Sequence, residues 1–354
     1  EARRDEGLGV REAILRSHAD THIATMAAAA AAAIAYGSLS ATDFRGFKHF
    51  GLIGGVGMVV CWVATYWLLP AVLVVLTFTI LPLLWTLGAS FTDFHLFLHG
   101  FQKDVPVKFV GLKNWIDVMT DQFFWHTAKN TIVFSVATVA LELVIGLAVA
   151  LSLRNITRGQ RFFRVWFLLP LFLSPVAVGM IVGRMIFHEA VGPVNDILRD
   201  VGFAGIPWLS QAKWAMFTLI MVDVWQNTSF MVLLLYAGLM SIPDELYEAA
   251  KVDGASDIQG LFKITLPLLA PVAMVAILIK GLDAFKVVDI IKVVTGGGPG
   301  NSTESLTLNI FDTSVRSGDI SVGAAGGFIL LGIMTIFVLI VLAVSRRYVS
   351  TLTD

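Results

Sequence analysis

The chain has 354 residues, of which 56% are hydrophobic and 14% charged, with a net charge of −1. Soluble domains carry about a quarter charged residues, so this composition excludes a soluble enzyme, and the near-zero charge gives no footprint for nucleic acid. The single cysteine, Cys61, lies in an apolar run, which excludes an intrachain disulfide and a Cys/His zinc site.

Eight stretches are long and apolar enough to cross ~30 Å of hydrocarbon. They are 22–39, 50–68, 70–91, 131–153, 164–187, 214–240, 268–291 and 322–345. The class this predicts is all-α, a polytopic helical membrane protein. Glu1 follows no initiator Met, basic n-region or cleavage site, which reads as an internal start. Gly51 to Thr92 carries no charge; as one helix it would measure about 60 Å, twice the membrane thickness. Tyr66-Trp67-Leu68-Leu69-Pro70 is the predicted interface turn, because aromatic rings favour the headgroup level. Pro82 is placed to kink the following span.

Charge sets the orientation. The 154–164 loop carries Arg154, Arg158, Arg161 and Arg164, the 241–267 loop carries Lys251 and Lys263, and the chain end carries Arg346 and Arg347. Alternating spans put all three on one side, and the positive-inside rule makes that side cytoplasmic. The opposite loops, around 92–130, 188–213 and 293–321, are mixed in charge and rich in Gly, Pro, Ser and Thr.

Ionisable groups inside spans are costly, about 2.5–3.5 kcal/mol at the midplane, so each needs a reason. Glu142 and Arg184 read as a structural pair or as solvated ends. In span 214–240, Asp223, Gln226, Asn227, Thr228 and Ser229 form a polar cluster, suited to lining a pathway or to bonding between helices. In span 268–291 and just beyond, Lys280, Asp283, Lys286, Asp289 and Lys292 alternate in sign every three residues. On one helix they would form a charge-neutralising ladder. Such a ladder serves as a polar wall, with Asp283, Lys286 and Asp289 near hydroxyl groups and Phe285 stacked on the flat face of a hydroxylated ring, or as internal salt bridges. Lys292 is placed to snorkel. Gly296–Gly300 follows no strand and precedes no Lys-Ser/Thr helix start, so it is not a phosphate cradle. No catalytic triad, Walker motif or cofactor signature appears.

The 241–267 connection reads as helix, turn, helix. Ser241 is placed to cap a helix with Pro243 in its first turn. Asp244, Glu245 and Glu248 lie at the positive end of its dipole. Gly254 supplies a left-handed terminus, and Ser256 with Gln259 forms a second capping pair. Ala249, Ala250 and Ala255 leave the backbone open to close approach.

Glu248-Ala249-Ala250, then Asp253-Gly254-Ala255 and Ile264-Thr265-Leu266-Pro267, resemble the EAA loop of ABC importer permeases. The resemblance covers roughly 67–354. Ser90–Phe94, Val110–Trp115, Leu168–Pro170 and Gly238–Pro243 are similar to that family, while Phe285-Lys286 with Asp289 and Thr295–Gly300 resemble its carbohydrate-uptake branch. The resemblance implies a six-span permease core in a bacterial cytoplasmic membrane. Glu248, Ala249, Ala250, Asp253, Gly254 and Ala255 would couple to a cytoplasmic ABC ATPase dimer. Its other implied partners are a homologous second permease, an extracytoplasmic solute-binding protein and a sugar or polyol, with Asp223, Asn227, Asp283, Phe285, Lys286 and Asp289 along the substrate path. Residues 8–70 depart from that pattern. Arg11–Ile14, Asp43–Phe47 and Phe50–Met58 resemble a piece of an RND/MMPL-type exporter, implying a 1–69 extension with two extra spans before a 70–354 permease domain. The alternative reading is an RND-like or ion-driven carrier using the charge ladder; such a carrier has no need of an EAA loop.

Overall fold

Asp121 starts a helix of 34 residues. Its carboxylate accepts the Phe123 N–H at 2.8 Å, satisfying one of the donors a helix start leaves unpaired. The computed structural model describes residues 68–101, 105–156 and 159–353, with Met26, Ala30 and Val56 as isolated positions before them. The predicted spans at 22–39 and 50–68 (but for Leu68), the exporter-like strings and Cys61 otherwise lie outside the described residues. The chain divides into two compact units, Glu1–Trp85 and Thr86–Asp354. Helix α1 (Leu68–Ala89) runs uninterrupted through Pro82, close to its predicted extent.

In the second unit, α2 (Leu96–Phe101) and α3 (Lys113–Thr120) are short. Four helices are long and apolar enough to span: α4 (Gln122–Asn155), α8 (Ala212–Met240), a continuous run over Asp257–Phe285, and α14 (Ile320–Thr353), apolar to Arg346. Between α4 and α8 lie α5 (Gln160–Leu168), α6 (Pro175–Val178) and α7 (Pro193–Asp200). Among the described residues there is no strand.

Two predicted spans are corrected. The stretch 164–187 is not one helix; Gln160–Phe172 and Pro175–Ile186 meet at 95°. Pro175 pushes Ser174 out of the helical region, to φ −62° and ψ 133°, because its ring clashes with a helical predecessor. Gln226 Nε2 donates to the Leu173 carbonyl at 2.8 Å and Ser229 Oγ to the Phe167 carbonyl at 2.7 Å, satisfying groups near the break. The stretch 268–291 starts earlier and stops earlier. A helical run begins at Asp257 as α10 (Asp257–Gly260), widens by one π-type stretch, and continues as α11 (Leu266–Phe285). Thr307 Oγ1 takes the Phe285 carbonyl at 3.1 Å and Ser305 Oγ the Val287 carbonyl at 2.7 Å. The helix does not continue past Phe285, and α12 (Asp289–Val294) restarts after the gap. A short α13 (Leu306–Phe311) precedes α14.

The core sits around α8. Its apolar window is 61% buried, against 28% for α4, 17% for Asp257–Phe285 and 11% for α14. The other helices thus present apolar faces outward, as lipid or a membrane partner requires. Gly146 of α4 lets α8 approach closely: a Cβ there would stand 2.6 Å from Met231 Cβ, so only glycine fits without displacement. One apolar cluster joins Ala150, Leu153, Met231, Leu235, Leu239 and Leu269. A second joins Phe134, Leu219, Val222, Ile290, Ile291 and Val294. A third packs Phe124 and Ala128 on Leu306 and Ala325.

Candidate functional site

The loop after α8 is built from local rules, with one correction. Ser241 does not cap the next helix; its Oγ donates back to the Gly238 carbonyl at 2.7 Å, closing α8. Pro243 is the N-cap of α9 (Asp244–Val252), with no side-chain cap bond. Asp244 and Glu245 occupy the first turn and Lys251 the last, each sign matched to the helix dipole. At the far end Gly254 has φ +80°. The Ala255 N–H bonds the Ala250 carbonyl at 2.9 Å and the Gly254 N–H bonds the Lys251 carbonyl at 3.1 Å, the paired bonds of a Schellman terminus. Ser256 and Gln259 then form the reciprocal capping box, and the Asp257–Phe285 run departs.

Glu248, Ala249, Asp253 and Gly254 are exposed on this rod, while Ala250 and Ala255 are half-buried. Three exposed apolar side chains beside the turn escaped sequence reasoning: Val252, at 88% exposure, Ile258 and Phe262. Their signal was an apolar residue at a helix end where solvent is expected. Two further contacts were also missed. Arg154, in the last turn of α4, bonds Asp244 at 2.7 Å and lies 4.2 Å above the Tyr247 ring. Arg164 bonds the Tyr236 hydroxyl at 2.6 Å. The arginine loop and the 241–267 loop therefore share one end of the bundle.

Five of the six predicted path residues come together. Asp223, Asn227, Asp283, Lys286 and Asp289 border a cavity of about 150 Å³, with Lys280, Gln226 and Pro175. Phe285 does not: it is 6% exposed and packs on Phe337 at 5.3 Å between centroids, so the stacking face expected there is covered. The ladder keeps one rung among the described residues, Lys280–Asp283 at 3.7 Å, because the helix carrying it ends at Phe285. Lys280 turns inward instead. Its ammonium is 3.4 Å from Asp223 and 3.6 Å from Glu142, all three buried. Glu142 is thus neither a solvated end nor a partner of Arg184, which is exposed. Lys292 is not a free snorkelling cation; it bonds Asp312 at 3.1 Å. The polar cluster of α8 also divides. Asn227 Nδ2 donates to Asp223 at 3.0 Å beside the cavity, while Gln226 and Ser229 hold the broken helix.

The opposite end of the bundle is knitted by polar side chains. Asn130 of α4 donates to the Asn301 and Glu304 carbonyls, both at 3.2 Å. Thr303 Oγ1 bonds the Gly298 carbonyl at 2.7 Å, so the glycine loop is a closed turn. Asn195 ties Ile206 and the Trp208 indole into one loop. Glu189 accepts from the Leu209 and Ser210 N–H groups at 3.0 and 2.7 Å and from Ser210 Oγ at 3.0 Å. Burial pushes the Glu189 carboxyl up, but these hydrogen bonds, with His188 nearby, hold it below its ordinary value. A depressed carboxylate stabilises the fold above its unfolded pKa of about 4.3, and that contribution disappears as pH falls through the lower folded value. Hydrogen exchange corrected for intrinsic pH dependence should therefore show Leu209 and Ser210 amides protected at neutral pH and released in acid. In E189A, which removes the acceptor, they should be released at both.

A helical unit with several membrane-length helices, a polar cavity lined by charged side chains and a rigidly capped loop at one end has the parts of a membrane transport component. Residues 142–351 match the family model described as binding-protein-dependent transport system inner membrane component. That match spans more than half the chain, from Glu142 through the capped loop, and the chain belongs to this family of multi-pass inner-membrane transport subunits. Residues 1–89 match the MMPL family model. The chain is 38% identical over 280 residues to the trehalose/maltose transport system permease protein MalF of Thermococcus litoralis, covering 79% of this chain and 92% of that protein. It is also 38% identical over 222 residues to the sulfoquinovosyl glycerol transport system permease protein SmoG of Agrobacterium fabrum, covering 62% and 71%. Among solved structures, a bacterial ABC transporter involved in importing the acidic polysaccharide alginate shares the fold, with a TM-score of 0.68 at 23% identity over 81% of this chain and 96% of that one.

Proposed function

We propose that this chain is the permease subunit of a binding-protein-dependent ABC importer that moves a sugar or polyol across the cytoplasmic membrane. The observation that carries this reading is the capped rod at Asp244–Val252 with its Gly254 turn, in a chain whose relatives are named as sugar-transport permeases. Separate ATPase subunits dock against Glu248, Ala249, Ala250, Asp253, Gly254 and Ala255, and their closure drives the bundle. The arginine loop, the 241–267 loop and the C-terminus are cytoplasmic, by the positive-inside rule. An extracytoplasmic binding protein delivers solute to the opposite end. Asp223, Asn227, Asp283, Lys286 and Asp289 line half of the path, their carboxylates and amide bonding hydroxyl groups, with Phe285 packed behind them. A homologous second permease supplies the other half; the sparsely buried faces of α4, α11 and α14 support such a neighbour. The permease domain is 70–354, with six spans, and 1–69 is an extension with two more.

Proteoliposomes holding the assembled transporter decide the driving force. Accumulation of labelled trehalose or maltose should require ATP inside the ATPase-facing compartment and survive collapse of the proton gradient. Uptake that follows the proton gradient without ATP would establish an ion-driven carrier instead.

A further inference from the structure

The rod α9 is joined by the chain itself to α8 on one side and to the Asp257–Phe285 run on the other. No covalent link joins it to α4. A cavity of about 610 Å³, lined by Leu151, Arg154, Asn155, Tyr247, Lys251 and Ala255 among others, separates the end of α4 from the inner face of α9. Arg154 bridges that space. Its guanidinium bonds the Asp244 carboxylate at 2.7 Å and covers the Tyr247 ring at 4.2 Å. Asp244 and Tyr247 are three apart on α9, so one side chain engages both. The Tyr247 hydroxyl bonds Thr265 Oγ1 at 2.9 Å, fastening the same face of α9 to the next span. The end of α4 is itself held: Gln160 Nε2 donates to the Leu153 carbonyl at 2.9 Å and the Tyr236 hydroxyl at 3.0 Å.

We infer that Arg154 is a positioning residue of the coupling mechanism, making α4 a third arm of the lever. This rests on the reading that α9 receives the motion of an ATPase. Arg154 and Glu142 share the uninterrupted helix α4, twelve residues or about 18 Å apart. Movement of α9 is therefore carried along α4 to Glu142 and its buried contact with Lys280, which lines the polar cavity. An arginine serves here because its planar head pairs with a carboxylate at its edge and an aromatic ring on its face together.

The test uses the full transporter in proteoliposomes, with R154A, R154K and D244N compared for ATP hydrolysed per solute moved. Asp244 is an exposed side chain, so D244N tests the bridge without disturbing the core. R154A should move roughly tenfold less solute per ATP, within the span of ordinary coupling between sites. D244N should lose about twofold, as an exposed ion pair does, and R154K should recover part of the R154A loss. ATPase affinity for the permease should stay unchanged in all three. An unchanged ratio in a properly assembled R154A overturns the inference, and so does loss of ATPase binding, which would make Arg154 a docking residue. Failure of the wild-type transporter to couple ATP to uptake would instead sink the importer reading beneath it.

Discussion

Gly254→Val should leave ATP hydrolysis running while uptake collapses. At φ +80° the backbone at this position is left-handed, where an L side chain costs roughly 1–2 kcal/mol and a β-branched one more. The penalty is conformational: a Cβ added at Gly254 meets no atom within 4 Å. Valine relieves the strain by giving up the turn, and with it the Ala255–Ala250 and Gly254–Lys251 bonds that end α9. A shift of that size reduces the native turn by about 5–30-fold relative to alternatives. The rod would then still meet its ATPase through Glu248 and Ala249 but no longer move rigidly with the Asp257–Phe285 run. Because sterics are absent, the order of substitutions follows left-handed preference alone. Asparagine should retain most uptake, alanine an intermediate level, and valine the least. Paired measurements of hydrolysis and solute accumulation in proteoliposomes check this order. Valine transporting as well as glycine would show that the turn carries no force.

What could be read from the chain divides along a physical line. The 241–267 loop was legible because its structure is local: a glycine, a Ser-x-x-Gln pair and signed helix ends act within five residues of one another. Four of the long spans were legible because hydropathy is a sum over neighbours. The break at Ser174 had a signal, the prolines at 170 and 175, but apolar composition on both sides outweighed it. The end of α11 had almost none. The carbonyls at and beyond it meet Ser305 and Thr307 some twenty residues away, and the ladder built on a continuous helix failed with it. Ser241 was misassigned because a serine between two helices can close one or open the other. Lys280 with Glu142, and Arg154 with Tyr247, join residues 138 and 93 positions apart. Only the packing of α4 against α11 and α9 brings them together.

Lys280→Met should destabilise the bundle by about 3–5 kcal/mol, the usual consequence of removing one member of a buried ion pair. Lys280 is 3% exposed, Asp223 6% and Glu142 fully buried. Neither Glu142 oxygen has a hydrogen-bond partner among the described residues, so the Lys280 ammonium at 3.6 Å is the group that compensates it. Without the lysine, two carboxylates face each other between the apolar cluster around Leu235 and the one around Leu219. Asp223 has some relief from Asn227 and the cavity; Glu142 has none. Glu142→Gln alone should cost less, because Lys280 keeps Asp223 and Asp283. The double variant E142Q/K280M should then recover much of the K280M loss, a coupling of about 0.5–3 kcal/mol between the two positions. Equilibrium unfolding of the four proteins in detergent measures each value in the cycle. Additive losses would mean that Glu142 and Lys280 act independently. Strong coupling would identify their contact as a point where α4 and α11 are bound together, with Asp223 of α8 on the same ammonium.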